Sequence, residues 1–133
     1  MKKVTAIIER GEDGGFSIFC TDIEGLVGTG MTEEEARQDF LEVMEEQAEY
    51  CLEQTGRSPK WKDAKVEFNY SLSAFFMAFP FINATQFARS IGINPSLMRK
   101  YKMGLASASD NQMQIIQNQL NELTRKMQHV QLA

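Results

Sequence analysis

The chain has 133 residues, enough for one domain or for two small ones. Its 43% hydrophobic and 24% charged content is that of an ordinary folded protein, which excludes wholesale disorder and collagen-like repetition, and no apolar run approaches the ~20 residues that cross a bilayer. The formal charge of −4 conceals a reversal: residues 1–70 carry eight basic and sixteen acidic side chains and residues 71–133 six basic and two acidic, so two units with different partners are expected, the basic one being the candidate for nucleic acid.

Met1-Lys2-Lys3 leads into Val4–Ile8, a run too short for a secretory signal and without its small-residue cleavage site. Val4–Glu9 is rich in β-branched residues and reads as a strand. It stops at Arg10-Gly11-Glu12-Asp13-Gly14-Gly15, where Asp-Gly and Gly-Gly supply the positive φ of a tight connection. Phe16–Thr21 follows as a second strand with Phe16, Ile18 and Cys20 on one face, completing a hairpin. Asp22-Ile23-Glu24-Gly25 turns the chain into a short third strand, Leu26–Gly30.

Thr32-Glu33-Glu34-Glu35 is a capping box, in which the Thr32 hydroxyl accepts from the Glu35 amide and Glu35 reaches back to Thr32. Three carboxylates in the first turn also suit the positive end of the helix dipole. Behind the cap, Ala36, Phe40, Val43, Met44, Gln47 and Cys51 recur at helical spacing, predicting a long amphipathic helix to about Gln54 with Gly56 as its stop. Ala64–Tyr70 is a fourth strand, with Val66, Phe68 and Tyr70 on one face. The order βββαβ predicts a small sheet covered on one face by one helix.

The glycine-turn hairpin, the Asp22-Ile23-Glu24-Gly25-Leu26 turn and the Gly30-Met31-Thr32-Glu33-Glu34-Glu35-Ala36 helix opening together resemble the HicB-like antitoxins of bacterial toxin–antitoxin pairs. The likeness spans residues 1–70, with Asp22–Leu26 standing where family members usually show a Pro-Asp-Leu-Pro-Gly-Cys-like turn. It implies a degenerate RNase H-like fold that has lost catalysis and masks a small basic, HicA-like, mRNA-cleaving toxin. The side chains agree with a binding role. An RNase H-type centre clusters carboxylates at strand ends to hold divalent metal ions. Here only Glu9 lies near the end of the first strand, and Asp22 and Glu24 fall in a turn. The remaining acids crowd one helix (Glu33, Glu34, Glu35, Asp39, Glu42, Glu45, Glu46, Glu49, Glu53), which serves equally as a solvated face or as a docking surface for a basic partner. Neither catalysis, a metal nor a cofactor is expected, a residual metal-dependent nuclease being the alternative of another class.

In the basic half, Ser71 or Ser73 caps a short helix through Leu72, Phe75, Phe76 and Phe79, closed by Pro80. Asn83 opens a second helix, Ala84–Ile91, ended by Gly92. Asn94 caps a third that has Pro95 at its first position and is stopped by Gly104. Helix, Gly-containing turn and helix form the helix-turn-helix pattern. Phe87-Ala88, three residues, Gly92-Ile93-Asn94 and an apolar residue four past Asn94 resemble the phage-repressor (Cro/cI-like) subclass. Ala88 is small where the helices cross, and Ile93, Met98 and Tyr101 face inward. The resemblance implies operator DNA as partner, with a helical dimerisation or packing module as the alternative. Ser96, Leu97, Arg99 and Lys100 present themselves to the major groove, with Arg99 or Lys100 suited to guanine; Thr85, Gln86, Arg89 and Lys102 are candidates for phosphate.

Ser107-Ala108-Ser109-Asp110 starts a last helix with Ile115, Ile116, Leu120, Leu123 and Met127 as its apolar stripe, too much for one small helical unit to cover. A homo-oligomer, a dimer or higher, is expected. His129, the single histidine, near the end of this helix, gives no basis for histidine catalysis or zinc binding. Cys20 and Cys51 form no CxxC pair and read as small buried hydrophobes in a reducing cytoplasm, the expected location. The expectation is therefore an α+β chain: a HicB-like toxin-binding or oligomerisation domain over 1–70 and a helix-turn-helix DNA-binding domain over 71–133. It would act as antitoxin and autorepressor, or as a solitary HicB-like regulator without a toxin.

Overall fold

The structure, a computed structural model, describes residues 2–133. Its class is α+β, with a four-stranded mixed sheet and five helices among the described residues. These residues divide into two compact units, the first ending at Pro80 and the second running Phe81–Ala133.

In the first unit β1 (Lys3–Arg10), β2 (Phe16–Cys20), β3 (Val27–Gly30) and β4 (Lys65–Tyr70) stand in the order β3-β2-β1-β4. Both hairpins are antiparallel, while β1 and β4 run parallel, pairing Val4 with Val66 and Ile8 with Tyr70. The β1–β2 connection is held by Gly11 N–H on the Gly15 carbonyl at 2.7 Å and by Gly15 N–H on Asp13 Oδ1 at 3.1 Å. The alternation expected for β2 is present: Phe16, Ile18 and Cys20 are buried, alongside Val4, Ala6 and Ile8 of β1.

Helix α1 (Glu33–Thr55) closes the core. Thr32 Oγ1 accepts from Glu35 N–H at 3.1 Å, as its spacing predicts. The reciprocal bond differs: Glu35 Oε2 accepts from Met31 N–H at 3.1 Å, one residue before the cap, so the carboxylate ties down the end of the β3 connection instead. The buried row also differs from the expected stripe. It is Ala36, Phe40, Met44 and Ala48, an i, i+4 ridge, whereas Gln47 is exposed and Cys51 and Val43 are only partly covered. The phase is set by β3, against which α1 packs closely. A Cβ on Gly28 would overlap the backbone N and Cα of Phe40, and one on Gly30 would lie 2.6 Å from Ala36 N. Glycine in β3 thus lets α1 lie close against the strand, with Phe40 directly over Gly28 and Ala36 over Gly30. Phe40 is fully buried and meets the Phe68 ring edge-on with centroids 6.0 Å apart, so Phe40→Ala is expected to cost about 3–5 kcal/mol.

Between α1 and β4, Lys62 N–H donates to the Pro59 carbonyl and Ala64 N–H to the Trp61 carbonyl, and Trp61 packs partly buried against the core. Helix α2 (Leu72–Ala78) is capped by Ser71, whose Oγ accepts from Ala74 N–H at 3.2 Å. The first unit extends ten residues past the division expected at 70/71, because α2 packs on β1 and β4 and sends Ala74 into the sheet's core. Ser73, the other cap candidate, is instead buried and accepts from Arg10 N–H at 3.2 Å.

The second unit contains α3 (Ala84–Ile91), α4 (Pro95–Met103) and α5 (Asp110–Gln128). Each helix starts on a side-chain cap: Asn83 and Asn94, at the expected starts, accept from Gln86 and Leu97 N–H, and Ser109, within the expected Ser107–Asp110 start, accepts from Gln112 N–H. Gly92 ends α3 at φ 76°, a left-handed conformation that is strained for any residue with a Cβ. Ala88, Ile91, Ile93, Met98 and Tyr101 fill the interior between α3 and α4. Among the described residues no helix is long and apolar enough to cross a membrane.

Candidate nucleic-acid interface

The connection between α3 and α4 is three residues, Gly92-Ile93-Asn94. Gly92 turns the chain, Ile93 is buried and Asn94 caps the next helix. With Met98 and Tyr101 turned inward, helical geometry leaves Ser96, Arg99 and Lys100 on the outer side of α4, and all three are exposed. Leu97 is half-buried on one flank and Lys102 is exposed on the other. Residues 81–109 contain four basic side chains and no acidic one, so no carboxylate of this segment neutralises the face.

Arg99 and Thr85, assigned separately from sequence to base and to phosphate, are brought together: Arg99 Nη1 donates to Thr85 Oγ1 at 3.0 Å. Around this pair lies an open depression of about 280 Å³ lined by Asn83, Ala84, Thr85, Arg99, Lys102 and Met103. The first turn of α3 forms one wall, and first-turn N–H groups without helical partners favour anions. Arg99 and Lys102 add two positive charges. Gln86 and Arg89 are exposed on α3 but do not line this depression. Asn83, Ala84 and Met103 also line it, none of them a contact residue from sequence, where Asn83 figures only as the start of α3.

The acidic unit has a surface of its own. Leu41, Met44, Ala48, Leu52, Ala64, Val66 and Phe68 give the apolar part of a groove of about 570 Å³ between α1 and the edge strand β4, with Glu45, Glu49, Asp63 and one cation, Lys62, among its polar lining. Leu41 and Leu52 are 42% and 45% exposed. Their spacing with Ala48 (41, 48, 52) is a second apolar row at helical spacing, legible in the sequence beside the buried one. From residue 38 to residue 55 the helix carries six acidic side chains and no basic one.

At the other end of α1, Tyr70 donates its hydroxyl proton to Glu33 Oε1 while Arg37 binds Glu33 Oε2 at 2.8 Å and lies 4.7 Å above the Phe68 ring. Burial, then the Glu33 carboxylate, pushes the Tyr70 phenol up from its ordinary value. This network fastens α1 to β4. Asp22 and Glu24 are exposed in their turn, and among the described residues no three His, Cys, Asp or Glu side chains gather to hold a metal ion.

Neither a family model, a curated protein nor a solved structure matches the chain.

Proposed function

We propose that the chain is a DNA-binding repressor and antitoxin of the HicB-like kind, acting by binding without turnover. In this reading α3 and α4 form a helix-turn-helix. Lys100 and Ser96, at the centre of the outer face of α4, read base edges in the major groove. Arg99, fixed by Thr85, and Lys102 grip a backbone phosphate at the start of α3. Gln86, Arg89 and Leu97 lie at the margins of the contact. The observation that carries the reading is the exposure of Ser96, Arg99, Lys100 and Lys102 on one helix within a 29-residue segment devoid of acidic residues. Phosphate contacts position such a helix, and base contacts specify its site.

The acidic unit, in the same reading a degenerate RNase H-like domain, masks a small basic mRNA-cleaving toxin of the HicA-like kind. The groove between α1 and β4 supports this role, since an apolar floor and a rim of three carboxylates (Glu45, Glu49, Asp63) against one cation, Lys62, complement a basic surface. Occupying the promoter and masking the nuclease would then be two functions of one chain.

The test is binding to a duplex from the DNA just upstream of the gene, beside a scrambled duplex, at several salt concentrations. The expected result is tight, salt-sensitive binding that prefers the upstream sequence and is lost in Arg99→Ala/Lys100→Ala. Equal, weak binding to both duplexes overturns the DNA reading and leaves α3–α4 as a packing module. Co-purification with a small basic protein encoded beside the gene tests the antitoxin role; its failure leaves a solitary regulator.

A further inference from the structure

The two edges of the sheet are treated differently. At β3, Thr29 N–H donates to Asp39 Oδ2 at 2.8 Å, and Met31 N–H, just past the strand, donates to Glu35 Oε2 at 3.1 Å. Carboxylates of α1 thus occupy that edge. An edge whose N–H and C=O groups stay unpaired is a template for another strand, and charged side chains are a usual way to blunt it.

Strand β4, the other edge, has no such cover. Lys65 N–H donates to the Lys2 carbonyl at 2.9 Å and Ser71 N–H to the Ile8 carbonyl at 2.8 Å. The parallel register between them is unbroken, so the odd-numbered residues from 65 to 71 are the ones that bond to β1. Val66, Phe68 and Tyr70 therefore direct their N–H and C=O groups away from β1. Among the described residues no helix, loop or side chain bonds to these groups.

Val66 and Phe68 also line the α1–β4 groove, so an open backbone edge and an apolar floor lie side by side. A strand laid along β4 would bond to that edge and set every second side chain against Leu41, Met44 and Leu52. The carboxylates of Glu45, Glu49 and Asp63, against the single cation Lys62, favour basic residues in such a strand.

We propose that the acidic unit takes up its partner by strand addition: an extended segment of alternating apolar and basic residues pairs with the free edge of β4. This rests on the masking reading for the role of the groove and adds that the partner is gripped by its backbone.

The test titrates the full chain calorimetrically with a short synthetic peptide that alternates valine and lysine. The wild type is expected to bind it, and to bind a valine–glutamate peptide at least about tenfold more weakly. Val66→Pro deletes an outward N–H and no bond to β1, which an edge strand tolerates, and is expected to weaken binding by at least about tenfold. Val66→Ala, which trims the side chain and keeps the N–H, should retain most of it. A second arm leaves the protein untouched. Methylating either the valine or the lysine amides blocks one edge of the peptide at a time, so one methylated peptide should lose binding and the other keep it. Absence of binding, equal binding by wild type and Val66→Pro, or equal binding of the two methylated peptides would each overturn the proposal. The masking reading fails separately. A small basic protein that co-purifies equally with wild type and Val66→Pro overturns strand addition and keeps masking. Peptide pairing without any co-purifying protein does the reverse.

Discussion

Arg99 reaches from α4 to Thr85 on the first turn of α3, with Nη1 donating to Oγ1 at 3.0 Å, so the guanidinium is held where the two helices meet rather than free over the outer face. Lys100, its neighbour in sequence, is exposed. In the DNA-binding reading proposed above, these two adjacent cations take different roles.

Truncating them separately should separate their roles. Arg99→Ala is expected to weaken operator and scrambled duplexes alike and to lower the slope of log affinity against log salt by about 1. Lys100→Ala is expected to cost about 1–3 kcal/mol on the operator and to relax preference at one base pair. Fluorescence anisotropy over a salt series distinguishes them, and identical profiles for the two variants would sink the division of labour.

Glu45→Lys/Glu49→Lys reverses two carboxylates of the α1–β4 groove without touching its buried row. Binding of a small basic partner is expected to weaken by at least about tenfold, while the urea midpoint stays within the error of the wild type, as surface substitutions usually leave it. Isothermal titration and urea unfolding read the two quantities. Undiminished affinity would place the partner elsewhere.

Gly28→Ala puts a Cβ onto the backbone of Phe40, which no side-chain rotation relieves. Strand β3 and α1 must move apart, with an expected loss of about 1–3 kcal/mol. Chemical denaturation measures it; a variant as stable as the wild type would show that α1 has slack against β3.

Tyr70 gives the first unit a pH limit. Its phenol is pushed above the ordinary value near 10, chiefly by burial, so the folded chain holds that proton longer than the unfolded chain does. The associated stability is complete below about pH 10 and is lost as pH rises through the raised value. Urea midpoints between pH 9 and about pH 11.5 should fall in the wild type. They should fall less steeply in Tyr70→Phe, and equal slopes would contradict the assignment.

The local signals in the sequence carried far. Caps at Thr32, Asn83 and Asn94, stops at Gly56, Gly92 and Gly104, and the alternation of Phe16-Ser17-Ile18-Phe19-Cys20 depend on neighbours within a few residues, and each has its expected structural counterpart. Long-range choices were less legible. Ala48 joins the α1 core in place of Gln47 and Cys51 because Gly28 and Gly30 draw the helix close, a constraint that lies in another element. Helix α2 belongs with the sheet through Ala74, although it follows β4 and so falls beyond the division expected at 70/71. The Arg99–Thr85 bond spans fourteen residues and two helices, so neither residue alone announces it.

The parallel pairing of β1 with β4 also bears on how the chain is made. Lys3 lies beside Lys65 and Ile8 beside Tyr70, so the strand that completes the sheet leaves the ribosome some sixty residues after the strand it joins. At the usual ~5–20 residues per second this is a wait of about 3–12 seconds, during which one side of β1 is an unsatisfied strand edge. The nascent acidic unit is thus open to chaperones, to proteases and to pairing with other chains until Tyr70 has left the ribosome. Messages cut before that point would yield products with an exposed edge and no means of closing it.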